Sequence, residues 1–395
     1  MKLQKVGHVV WVRSLMVCTT NVYYVFCFEK FYLLCTSVNQ FLPSKPRGLL
    51  KLTLVSVGVG SIIGVGYSAY THYQINRNRA AKPGKDIQSL ILEQMPDIKP
   101  TRKVISPTDA SNLQLVLFQY QTCPFCCKVR AFLDANGLSY DVVEVDAVLR
   151  QSIKWSSYKK VPILVVKTSS GYMQMNDSTA IISILSSYLM DNTQEIGDIM
   201  KYYPSVSFVD DSGNDKNDIL NKYFLMFNQV PKDRKSEEIN QERHWREWSD
   251  NVLVHMLSPN VYRSVDESYQ AFNWFADVGE WRKHFPSWEC SLMINVGAYA
   301  MWIIGKRLKK RHQLKDDVRQ SLYDECNNWA KAVKQNGSQF MGGSSPDLSD
   351  LAVYGILSSI EGCDAFKDMM NNSKIKPWYF NMKQHINQNK GAILS

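Results

Sequence analysis

The chain of 395 residues has no long block of like charge, no internal repeat and no low-complexity tract. Its net charge of +9 comes from lysines and arginines scattered along the sequence. That excludes a basic nucleic-acid arm, and no nucleic-acid partner is expected. Nine cysteines, an odd number, form no secreted disulfide framework, which suits a reducing compartment. Acidic residues are nearly missing from residues 1–47, where Lys2, Lys5, Arg13, Lys30, Lys45 and Arg47 face only Glu29. Such acid-poor sequence reads as a targeting or disordered leader. Charge of either sign is missing from Leu52 to Thr71, which reaches the length of about 20 residues that crosses a bilayer. We therefore expect a transmembrane helix within residues 49–71, anchoring the chain to a membrane through residues 52–71. Tyr67, Tyr70 and Tyr73 lie at its interfacial end. Lys45, Arg47 and Lys51 precede the span, and Arg77, Arg79, Lys82 and Lys85 follow it. The excess after the span favours a single-pass protein whose body faces the cytosol or the mitochondrial matrix. A Golgi or a mitochondrial membrane fits, as does a soluble processed form.

What is present supports two or three domains, since 45% of the residues are apolar. Residues 72–112, polar and carrying Pro83, Pro96, Pro100 and Pro107, read as a tether with one short helix around Ile87 to Met95. Residues 113–191 then alternate strand and helix patterns: a strand at Leu113–Phe118, a helix after Cys123, a strand at Ser139–Val145, a helix at Ala147–Ile153, strands at Ile163–Val166 and Tyr172–Met175, and a helix at Asp177–Met190. Cys123 and Cys126 sit where the first strand turns into the first helix. Backbone N–H groups and the dipole at a helix N-terminus favour an anion, so Cys123 is the expected thiolate. A metal site would need a second pair of cysteines or histidines, and none accompanies these two. Cys127 is expected to pack away from Cys123. Residues 192–220 read as an irregular connector, and 221–390 as helices. In the latter, Asp347 and Asp350 suggest a capping box before the apolar run Leu351–Ile360. The basic cluster Lys306–His312 fits a solvated helix end or contact with an anionic membrane surface.

The β-α-β-α-β-β-α order is that of the thioredoxin fold, and Thr122-Cys123-Pro124-Phe125-Cys126 resembles a glutaredoxin active site. Val161-Pro162 stands where that fold places a cis-proline beside the reactive thiol, and Asn176-Asp177-Ser178 where glutathione is held. A glycan on that Asn176 sequon would block the pocket, which argues against a secretory lumen. The fold class expected is an α/β thioredoxin-like domain followed by an all-α glutathione-transferase-type C-terminal domain, with an N-terminal transmembrane anchor. Longer blocks narrow the resemblance. Ser156–Val165, Val254-His255, Ser258–Arg263, Lys306–Lys309, Phe340–Gly343 and Asp350–Gly355 are similar, in order, to the membrane-associated type 2 prostaglandin E synthases. The similarity runs from about Leu113 to about Gln384.

This resemblance implies isomerisation of prostaglandin H2 to prostaglandin E2. It implies Cys123 as the reactive thiol, Tyr120 orienting it, Cys126 supporting or resolving it, and Phe125 walling the substrate pocket. It implies glutathione bound by Val161, Pro162, Asp177 and Ser178. It also implies haem held through the glutathione thiolate, in a form that breaks the endoperoxide down, and a homodimer. Plainer roles stand beside these. Asp177 serves as a helix N-cap in either case, and Tyr120 could simply pack at a strand end. A glutaredoxin-like thiol–disulfide oxidoreductase, a glutathione conjugase and a non-catalytic glutathione- or haem-binding membrane module remain as alternative functions.

Overall fold

The computed structural model describes residues 91–209, 215–226 and 235–394, all within one compact unit. The expected leader (1–47) and anchor (52–71) lie outside the described residues. Among the described residues, no helix is long and apolar enough to cross a membrane.

The elements run β1 (Ile91–Leu92), β2 (Arg102–Ile105), β3 (Leu115–Gln119), α1 (Pro124–Ala135), β4 (Tyr140–Glu144), β5 (Ile163–Thr168), β6 (Gly171–Asn176), α2 (Ser178–Met190), α3 (Ile196–Met200), β7 (Ser205–Val209) and β8 (Asp215–Ile219). Helices then follow: α4 (Ser236–Trp248), α5 (Val254–Val261), α6 (Val265–Val278), α7 (Trp281–His284), α8 (Ser287–Leu292), α9 (Ala298–Arg311), α10 (Val318–Gln335), α11 (Leu348–Ser358), α12 (Asp364–Asn372) and α13 (Lys376–Asn389). The last strand is β9 (Ala392–Leu394). A π-turn at Ser249–Leu253 joins α4 to α5, and another at Met293–Gly297 joins α8 to α9.

One sheet has the order β1-β6-β5-β3-β4-β2-β9. Its centre is the thioredoxin arrangement: β3 parallel to β4, and antiparallel to β5, which pairs antiparallel with β6. Alternation along β3 and β5 divides the side chains between two cores. Leu115, Leu117, Leu164 and Val166 face the large core under α1 and α2, which continues into the helical region. Phe118, Ile163 and Val165 face a small core on the other side.

Four expectations are corrected. The tether does not run free to residue 112: from Ile91 on it belongs to the body, with β1 added beside β6 and β2 beside β4. The short helix expected around Ile87–Met95 is not seen at residues 91–95, which include β1. The helix expected at Ala147–Ile153 shrinks to a 3-10 turn at Gln151–Ile153. Arg150 there takes a left-handed φ of 51°, and the Asp146 carboxylate accepts the N–H groups of Arg150 and Gln151, closing the turn locally instead of propagating a helix. The connector 192–220 is also not irregular: it holds α3 and the β7–β8 hairpin.

The capping box predicted at Asp347 and Asp350 forms. Asp347 accepts the N–H groups of Ser349 (2.8 Å) and Asp350 (3.0 Å), and Asp350 accepts that of Asp347 (3.1 Å). It starts α11, which lies directly on α1. The approach requires Gly355: a Cβ there would stand 2.5 Å from the Lys128 Cα. The helical region thus clamps the helix that carries the cysteines.

Candidate active site

Cys123 is the N-cap residue of α1, with extended backbone (φ −74°, ψ 125°) and Pro124 at the first helical position. Proline suits that position because its missing N–H would have had no partner. The Cys123 N–H donates to the Tyr120 carbonyl (3.1 Å), closing the turn, and its own carbonyl accepts from the Cys127 N–H (2.8 Å). Cys123 is partly exposed, whereas Cys126 and Cys127 are buried. The thiols are therefore unequal. A hydrogen bond from the Cys126 side chain, outweighing burial and helped by the N–H groups of Cys126 and Phe125 and by the Arg130 charge, holds Cys123 below the usual thiol range. Burial, and then the donated bond itself, pushes Cys126 well above it.

The Val161–Pro162 bond is cis, as the resemblance implies. Val161 is half-buried and packs against the small core, and Pro162 is buried. Tyr120 packs against the same small core, while Phe125 packs against the large one. Asp177 takes a left-handed φ of 65°, which is strained for a residue with a Cβ and typical of functional positions. Its Oδ1 caps α2, accepting the N–H groups of Thr179 (2.8 Å) and Ala180 (3.2 Å), while its Oδ2 lies 3.9 Å from the Lys222 ammonium. Ser178 is buried at the first turn of α2. Cys123, Cys126 and Asp177 share a neighbour, Tyr158, in the loop before the cis-proline. Burial, and then the charges of these three, raise its phenol. Lys160 also faces Asp177.

Sequence reasoning missed two supporting groups of residues. In the first, Lys128 on α1 forms an ion pair with Asp250 from the π-turn and donates to Thr179 Oγ1 (2.9 Å), while Thr179 Oγ1 donates to Asp250 Oδ2 (2.6 Å). The ion pair ties α1 and α2 to the helical region. In the second, Arg102, Gln119, Gln121, Arg130 and Glu144 form a polar knot beneath the Tyr120–Cys123 turn. Arg102 Nη2 and Gln119 Nε2 each donate to Glu144 Oε1 (both 2.7 Å), and Gln119 Nε2 also donates to Gln121 Oε1 (2.9 Å). Lys128 was visible only as one polar position on a helix, and Gln119 as a polar residue ending an apolar strand.

A family model described as glutaredoxin matches residues 115–170. Curated relatives cover far more. Prostaglandin E synthase 2 of Mus musculus is 44% identical over 295 residues, 74% of this chain and 75% of that protein. Prostaglandin E synthase 2 of Danio rerio is 46% identical over 286 residues, 70% of this chain and 73% of that protein. The chain belongs to the prostaglandin E synthase 2 family. Solved structures align over a similar span. They include a glutathione S-transferase III in apo form, with 11% identity, 70% of this chain, 95% of that chain and a TM-score of 0.40. A beta-etherase from Sphingobium covers 70% of this chain and 98% of its own, with 14% identity and a TM-score of 0.39. In the family's terms, the expected site residues Cys123, Cys126, Val161, Pro162, Asp177 and Ser178 stand on the first turn of α1, the loop entering β5 and the first turn of α2.

Proposed function

We propose that this member of the prostaglandin E synthase 2 family isomerises prostaglandin H2 to prostaglandin E2 through the Cys123 thiolate, with glutathione bound alongside. The observation that carries the reading is a partly exposed thiol at a helix N-terminus, held below the usual thiol range by the Cys126 hydrogen bond, in a chain 44–46% identical to prostaglandin E synthases 2 over most of its length. The thiolate sulfur attacks one endoperoxide oxygen: an S–O bond forms as the O–O bond breaks. The second oxygen leaves as an alkoxide and takes up a proton, and Tyr120 is the proposed stabiliser of that charge. Loss of the proton from the carbon bearing the sulfur-bound oxygen turns its C–H pair into the carbonyl π bond. The S–O bond then breaks and returns the thiolate, with no net redox change. Phe125 would wall the apolar side of the pocket.

The glutathione part rests on the loop before β5 and the start of α2. The Val161 backbone beside the cis-proline can pair with a peptide as an added strand. Asp177 Oδ2, not engaged in the cap, suits the γ-glutamyl amine, and the first turn of α2 at Ser178 suits its carboxylate. When bound, glutathione supplies a second thiol beside Cys123. Haem fits less well on this chain's own residues: among those described at the pocket, Cys123 is the accessible soft ligand and no imidazole stands with it. We keep haem as a ligand of the glutathione thiol, and no step here passes through it. A homodimer anchored through residues 52–71 completes the proposal.

A second reading, thiol–disulfide exchange, is favoured by the Cys126 bond to Cys123. The test is prostaglandin E2 yield from haem-free protein given prostaglandin H2. Cys123→Ser is expected to lower it by more than about 100-fold; an unchanged yield rejects the mechanism. Cys126→Ser is expected to keep the isomerase and abolish dithiol turnover on a small disulfide. Loss of both activities in Cys126→Ser would favour the exchange reading.

A further inference from the structure

We propose that Arg130 is a positioning residue for Cys123. Its guanidinium, held under the Tyr120–Cys123 turn, fixes that turn and supplies the uncompensated positive charge that a thiolate there neutralises. The inference rests on Cys123 being the working thiol.

Arg130 lies nearly two turns into α1, yet its side chain runs back beneath the loop. Nη2 donates to the Gln121 carbonyl (2.6 Å) and to Cys127 Sγ (3.0 Å), and Nη1 donates to Gln119 Oε1. One planar group thus grips the strand that ends before the loop, the loop itself, and the helix that follows. A guanidinium suits this task because its donors are fixed in a fork, whereas an ammonium is a point charge.

The charges around it do not cancel. Arg102 and Arg130 face Glu144, and Asp134, one turn beyond Arg130, pairs with Lys390 at 3.7 Å and accepts from the Tyr140 phenol at 2.8 Å. Three cations therefore oppose two carboxylates. The other titratable neighbours are neutral acids: Tyr140 in β4, Cys126 and Cys127 in α1, Tyr354 of α11 and Tyr379 of α13 beside Cys127, and Tyr158 in the loop before β5. Asp177 stands beyond Tyr158. Cys127, although its sulfur accepts from Arg130, is pushed up by burial, which leaves the partly exposed Cys123 as the thiol whose ionisation balances the remaining positive charge.

The experiment measures the rate of iodoacetamide alkylation of the full-length protein against pH, quantified by mass spectrometry on the peptide containing Cys123. Arg130→Met is expected to move the midpoint up by about one pH unit, the size of shift a neighbouring charge produces. Arg130→Lys is expected to fall between this variant and the parent. Glu144→Gln, of the same shape, removes a carboxylate from the knot and is expected to move the midpoint down. A purely structural role would loosen the loop in both Arg130→Met and Glu144→Gln and move both the same way. An unmoved midpoint in folded Arg130→Met, or shifts of the same sign, overturns the proposal. Should Arg130→Met fail to fold, an unmoved or raised midpoint in Glu144→Gln overturns it instead. Because alkylation needs no prostaglandin, this outcome is independent of whether the isomerase reading holds.

Discussion

Cys123 and Cys126 are the same side chain three residues apart, and their surroundings push them to opposite ends of the thiol range. The Cys126 proton is shared toward the Cys123 sulfur, so one thiol is acidic because the other is not. Replacing Cys126 by Ala removes that donor, and the alkylation midpoint of Cys123 is expected to rise; replacing it by Ser keeps a hydroxyl donor, and the rise should be smaller. Asp177 separates two roles in a similar way. Asp177→Asn keeps an oxygen for the cap of α2 and tolerates the left-handed φ. It is expected to weaken glutathione binding in calorimetric titration while leaving the unfolding midpoint in place. Asp177→Ala is expected to lose both, with a stability loss of about 1 kcal/mol in urea titration. If Asp177→Asn binds glutathione as the parent does, the carboxylate serves the helix alone. The cysteine pair was legible in the sequence because a strand pattern ends and a helix pattern begins around it. The knot of Arg102, Gln119, Gln121, Arg130 and Glu144 was not, because it draws on three strands, a loop and a helix that only the tertiary fold brings together.

Helix α1 carries the thiols, and its placement depends on two contacts from far along the chain. Gly355 lets α11 approach its backbone. Gly355→Ala would force the two helices apart, and we expect a loss of about 1–3 kcal/mol in urea unfolding, the range for overpacking. The Lys128–Asp250 pair joins α1 to the π-turn. Lys128 is buried, so Lys128→Met would strand Asp250 without its cation, at a cost of about 3 kcal/mol. Burial alone would raise Asp250, but the Lys128 charge, with the bonds from Lys128 and Thr179, holds it below the usual carboxylate range. Its contribution to stability is therefore fully present above the unfolded carboxylate value and is lost as pH falls through the lower folded value. Asp250→Asn should flatten the acid limb of a stability–pH curve; an unchanged limb would show that Asp250 does not contribute to it. That the C-terminal region is helical was readable from the sequence, because amphipathic patterns as long as that of α10 persist whatever packs on them. The π-turn that aims Asp250 was not, because one extra residue per turn leaves the apolar pattern almost intact.

The seven-stranded sheet is wider than the thioredoxin centre suggests. β1, β2 and β9 escaped sequence reading because they have two, four and three residues and take their identity from distant partners. The four central strands were legible because apolar residues run through β3 and β5 and are interspersed with polar ones in β4 and β6, between turns. β2 is pinned on one side by β4 and on the other by the last strand of the chain, with Lys103 opposite both Asp141 and Leu394. A pull on the polypeptide from its N-terminal side first meets β1, only two residues at the opposite edge of the sheet, and reaches β2 once β1 has peeled from β6. Antiparallel hydrogen bonds on both flanks of β2 would meet that load in shear, all together, rather than one at a time. Arg102, at the loaded end of β2, donates to Gln121 in the nucleophile turn. A protein held by its first hundred residues would thus carry mechanical tension past its own reactive sulfur. In a single-molecule pulling experiment on the N-terminal side of β2, Cys123 alkylation is expected to respond to force before the sheet gives way.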